Sequence, residues 1–135
     1  EAEESDEILI LRFDGQLFFG NKDYFRQQLQ QEIHKKGTAL KSVILNAEPI
    51  NYIDSSAVFV LRSLIQDLKK EGIRFVVAGA IGPARDIFYQ SRLIDEIGPD
   101  NFFVDTHQAY VHCKEAGTRS EKEARIATQS GNRVM

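Results

Sequence analysis

Short, continuous hydrophobic runs alternate along the chain with longer stretches that carry a helical repeat. Ile8-Leu9-Ile10-Leu11-Arg12-Phe13 is compact and β-prone, Asp14-Gly15 follows as a turn signal, and Gln16-Leu17-Phe18-Phe19 resumes the β pattern. Two such runs around Asp-Gly predict a hairpin. Gly20-Asn21 ends it, with Asn21 placed as a helix N-cap. From Lys22 to Lys36, Phe25, Leu29 and Ile33 recur every four residues, the stripe of an amphipathic helix closed by Lys35-Lys36-Gly37. Ser42-Val43-Ile44-Leu45 reads as a buried strand. A second helix starts after Asp54-Ser55, turns Ala57, Leu61, Leu64, Ile65 and Leu68 inward, and closes at Lys69-Lys70-Glu71-Gly72. Ile73 to Ala78 is another buried strand. Pro83 opens a third helix, with Ala84, Ile87, Phe88 and Ser91 inward, that runs until Gly98-Pro99. Phe102-Phe103-Val104 is a brief strand, and Thr106 to Glu115 a last helix ending at Gly117.

The order β-β-α-β-α-β-α-β-α with short links predicts an α/β fold whose largely parallel sheet opens with a hairpin. Residues 118–135 are polar and are expected to form a tail or a loosely docked helix. The early aromatics Phe13, Phe18, Phe19, Tyr24 and Phe25 are expected to pack hairpin against helix, or to leave an apolar patch for a partner.

Composition narrows the function classes. The 135 residues carry 17 bases and 20 acids, a net charge of −3, but five of the acids fall in residues 1–7. The remaining chain holds 17 bases against 15 acids, net +2, too even for a nucleic-acid grip. No apolar run reaches the roughly 20 residues of a membrane span; Phe75-Val76-Val77-Ala78 is strand-sized. The acidic N-terminus is not a signal peptide. A single cysteine, Cys113, excludes an internal disulfide.

Two loops draw attention as sites. Asp54-Ser55-Ser56-Ala57 enters a helix, where free N–H donors suit an anion or a phosphoserine; the plainer reading is an N-cap. Gly79-Ala80-Ile81-Gly82-Pro83 also precedes a helix, but lacks the lysine and third glycine of a phosphate loop. Together Ser55, Ser56, Gly79 and Gly82 outline a weak nucleotide or anion site on one sheet edge. His107, His112 and His34 have no ligand spacing, so no metal is expected. Cys113, four residues after Ala109, reads as a small core residue. No serine has a nucleophile elbow and no carboxylates pair, so no catalytic residue and no cofactor is assigned.

The segment from Gly15 to Phe25 resembles the hairpin-to-helix signature of STAS domains in sulfate permease (SulP) family anion transporters. Ile53-Asp54-Ser55-Ser56-Ala57 is similar to the family's Asp-Ser/Thr-Ser/Thr-Gly loop, and Gly72 to Gly79, Gly82 to Asp86, and Phe102 to Asp105 with Ala109 and Cys113 follow its later elements. The resemblance covers about residues 8–116 and departs at Asn46, where an aspartate is common, and at Ala57, where the loop has glycine. The short Gly37–Lys41 connection favours a bacterial-type domain.

What the resemblance implies is a mixed β-sheet flanked by helices, with residues 1–7 as an acidic linker, 8–117 as the STAS domain and 118–135 as a tail. A chain starting at Glu1 then reads as a soluble piece of a longer transporter. Its implied role is non-catalytic: regulation and interaction at the cytoplasmic face of the membrane. The implied partners are the transmembrane part of the same transporter, a neighbouring subunit and a cytosolic regulatory protein. The alternative is a stand-alone anti-sigma-factor antagonist switched by phosphorylation of Ser56.

Overall fold

The computed structural model describes residues 6–12, 15–17 and 22–116. Strands β1 (Ile8–Arg12), β3 (Ser42–Asn46), β5 (Arg74–Ala78) and β6 (Phe102–Phe103) form one parallel sheet in that spatial order. Strands β2 (Gly15–Leu17) and β4 (Ile50–Ile53) form a separate parallel pair. The helices are α1 (Lys22–Lys36), α2 (Ser55–Lys70), α3 (Gly82–Gln90), α4 (Leu93–Ile97) and α5, residues 106–116.

Strand periodicity divides the core in two. Leu9, Val43 and Phe75 lie in register across the sheet, as do Leu11, Leu45 and Val77. These residues face the larger cluster, built with Leu29 of α1, the inner stripe of α2, Ala84 and Phe88 of α3, and Leu93 and Ile97 of α4. The alternate positions Ile8, Ile44, Val76 and Ala78 face Ala109 and Cys113 of α5. Alternation in a strand sends neighbours to opposite faces, and helices on both faces explain why β3 is buried at all five positions.

Three sequence expectations are corrected. Among the described residues β1 and β2 do not pair as the expected hairpin: β1 pairs in parallel with β3, and β2 in parallel with β4. β1 is apolar at four successive positions, which a strand covered on both faces requires and a half-wet hairpin strand does not. Its turn residues Phe13-Asp14, with Phe18 to Asn21, lie outside the described residues, as do the side chains of Tyr24 and Phe25, so the expected aromatic cluster lies there too. Strand β4 is not among the expected elements, because Ile50-Asn51-Tyr52-Ile53 buries only its two ends and shows no period of two. The third helix is two: Arg92, with φ of 68°, breaks it after α3. No glycine marks that break. Leu93 and Ile97 beyond it are both buried in the core.

The expected stripe of α1 holds at Leu29, fully buried, and Ile33, packed against the core. The expected tail, residues 118–135, lies outside the described residues, as does Gly117.

Candidate functional site

The Asp-Ser-Ser loop is first of all a helix start. Asp54 is extended, and its Oδ1 accepts the Ala57 N–H at 2.9 Å, the geometry of an N-cap. Ser55 is exposed, Ser56 half-buried and Ala57 buried. The carboxylate thus already sits over the positive end of α2, where a free anion would otherwise bind. A hydroxyl at Ser56 stays partly accessible at the same end. Replacing Asp54 with alanine is expected to cost about 1 kcal/mol, read as a lower urea midpoint at constant slope; an unchanged midpoint would contradict the capping role.

The second loop is shaped by close approach. Gly79 has φ of +76°, and a Cβ there would lie 2.5 Å from Cγ of Glu48. Glu48 is placed by an Asx turn: the Asn46 side-chain oxygen accepts its N–H at 3.1 Å as the chain leaves β3. The Gly79 N–H donates to the carbonyl of Phe103 at 2.9 Å. Gly79 therefore makes room for an acidic side chain. A carboxylate accompanies each loop, Asp54 at one and Glu48 at the other. Asn46 and Ala78 pair in register at the ends of β3 and β5, while β4 intervenes before Asp54.

Beyond Gly79 lies a cleft of about 260 Å³ lined by Ala80, Ile81, Arg85, Tyr89, Phe102, Phe103 and Val104. Ser55 and Ser56 are not among its lining residues. The Arg85 guanidinium lies 5.3 Å from the centre of the Tyr89 ring, with Nη2 3.4 Å from the hydroxyl. Phe88 packs edge-to-face on Phe102 from the core side, centroids 5.5 Å apart. The sequence marks the Gly79–Gly82 loop as a weak anion site but not Arg85, Tyr89, Phe102, Phe103 or Val104 as its neighbours, because these meet only when separate elements pack.

Helix α5 seals the opposite face. Cys113 is buried, as expected, and burial pushes its thiol above the ordinary range against the opposing pull of a Ser42 hydrogen bond and the Arg74 charge. His112 lies against the Phe103 ring and 3.4 Å from Arg74. Among the described residues no three His, Cys, Asp or Glu side chains are grouped to hold a metal ion. Because thiolate is the reactive form, Cys113 should resist iodoacetamide in the native protein and react only on unfolding. Rapid native alkylation, followed by intact mass, would contradict the docking of α5.

Residues 1–109 match the family described as the STAS domain. The chain belongs to the STAS domain family. Its α/β architecture, a mostly parallel sheet flanked by helices, agrees with solved STAS domains. The SulP transporter STAS domain from Vibrio cholerae superimposes with a TM-score of 0.67 at 18% identity, covering 90% of this chain and 88% of that one. The unphosphorylated anti-sigma factor antagonist SpoIIAA superimposes equally, at 0.67 and 20% identity, covering 82% and 91%. Among curated proteins, probable sulfate transporter 4.2 of Arabidopsis thaliana is 31% identical over 122 residues, 84% of this chain. The chain spans only 18% of that relative's length. Among the described residues of this STAS domain, no helix is long and apolar enough to cross a membrane.

Proposed function

We propose that this STAS domain is the cytoplasmic, non-catalytic regulatory and interaction domain of a secondary anion transporter of the sulfate or bicarbonate type. It supports assembly, stability or gating by docking on the membrane part and on a neighbouring subunit, and it offers a surface to a cytosolic regulator. The observation that carries this reading is the set of curated relatives, which are sulfate transporters matched over most of this chain and under a fifth of their own length. The site chemistry agrees: Asp54 caps α2 and Asn46 turns the backbone after β3, which are structural uses of polar side chains. The reading frame upstream of Glu1 tests it. A series of long apolar spans is expected there; an initiator methionine directly before Glu1 would overturn the reading.

A second reading rests on Ser56. The chain superimposes on an anti-sigma factor antagonist as well as on a transporter domain, and Ser56 is half-buried at the start of α2, two residues after its cap. A phosphate there would add about 1.5–2 negative charges close to the Asp54 carboxylate, and so would disturb whatever partner docks on that end. In this reading Ser55, Ser56 and the Gly79–Gly82 turn serve regulation rather than anion capture. Mass spectrometry after incubation with ATP and the cognate kinase should find phosphate on Ser56; an unmodified peptide would remove this alternative.

A further inference from the structure

The strand-end cleft beyond Gly79 is shaped to receive a side chain rather than a small molecule. Ile81 and Val104 are 71% and 75% exposed, and they stand on two different loops at the carboxyl ends of β5 and β6. Two aliphatic side chains left in water on facing loops mark an interaction patch more than a chance exposure. Between them the cleft is about 260 Å³, below the roughly 300–1,000 Å³ of small-ligand sites and large enough for one or two aliphatic side chains. Phe102 and Phe103 contribute aromatic rings to its lining.

The charge on its wall selects the partner. Arg85 is fully exposed, and its contacts among the described residues are the Tyr89 ring and hydroxyl, with Asp86 acting on it at longer range. Stacking on Tyr89 holds the guanidinium beside the apolar mouth without neutralising it. A carboxylate placed there would gain a paired, geometrically defined hydrogen bond. Arg85 is the charged residue among those lining the cleft, so an acidic side chain beside the inserted aliphatic one complements the wall.

We propose that this cleft binds a protein segment that inserts an aliphatic side chain between Ile81 and Val104 and sets an acidic side chain against Arg85. The proposal goes beyond the transporter reading and does not depend on it. The 135-residue chain serves as the bait, and the probe is a displayed library of random twelve-residue peptides, selected on the wild type and counter-selected on the double variant Ile81→Ser, Val104→Ser. Both side chains are mostly in water, so the variants should fold as the wild type does, which circular dichroism checks. Enriched peptides are expected to combine leucine, isoleucine or valine with aspartate or glutamate. Synthesised singly, they should bind about tenfold or more weakly to Val104→Ser, in line with the loss of one buried aliphatic side chain. Arg85→Gln should weaken them several-fold and flatten their salt dependence. The proposal is overturned if nothing is enriched, if enriched peptides are basic, or if they bind the double variant equally. It is also overturned if Val104 instead drives self-association of the chain alone, seen by sedimentation, or binding to phosphatidylserine vesicles.

Discussion

Replacing Phe88 with alanine is expected to lower the unfolding free energy by about 3–5 kcal/mol, the range for deleting a large buried aromatic. Phe88 is fully buried, belongs to the larger core cluster beside Leu93 and Ile97, and meets Phe102 edge-to-face, a contact worth about 0.5–1.5 kcal/mol beyond burial. Domains of this kind hold about 5–15 kcal/mol in total, so the variant would lose a large fraction of its stability. Urea unfolding of wild type and variant, with the slope unchanged, gives the difference directly. A loss under about 1 kcal/mol would mean that the α3–α4 layer is not packed on the sheet in solution, well below the loss expected for such a site. The same substitution removes the support beneath the strand-end cleft, so peptide binding there should fall with it.

Gly79→Ala is expected to cost about 1–2 kcal/mol from the left-handed backbone alone, and more from the contact with Glu48. The two causes separate in a double-mutant cycle. Glu48→Ala removes the Cγ that lies 2.5 Å from the new Cβ, so the double variant should recover the steric part and keep the backbone part. The Glu48→Ala single variant should be nearly neutral, since that side chain is exposed. If the double variant is no better than Gly79→Ala, the close approach of Glu48 is not what requires glycine at this turn.

Where punctuation and periodicity were strong, the sequence was readable. The Leu29–Ile33 stripe, the basic ends of α1 and α2, and Asp54 as an N-cap all follow from local chemistry and all stand. What failed was long-range or unmarked. Asp14-Gly15 offers a hairpin signal, yet β1 takes Ser42–Asn46 as its partner, some thirty residues away; a parallel partner leaves no local trace beyond an unbroken apolar run. The end of α3 is set by an arginine in a conformation that favours glycine, so composition could not flag it. The site divided the same way. Asp54, Ser55 and Ser56 were legible as a helix start, whereas the Glu48 approach to Gly79 and the exposure of Ile81 and Val104 arise only when separate loops meet.

The proposed role, action through the folded surface of this STAS domain as part of an anion transporter, rests on the domain mattering to transport. Radiolabelled sulfate and bicarbonate uptake by the full-length gene product, with and without residues 8–116, tests it most directly when membrane abundance is measured in parallel. Deletion is expected to lower uptake, abundance or both, and restoring the domain to restore them. Unchanged uptake at unchanged abundance would contradict it.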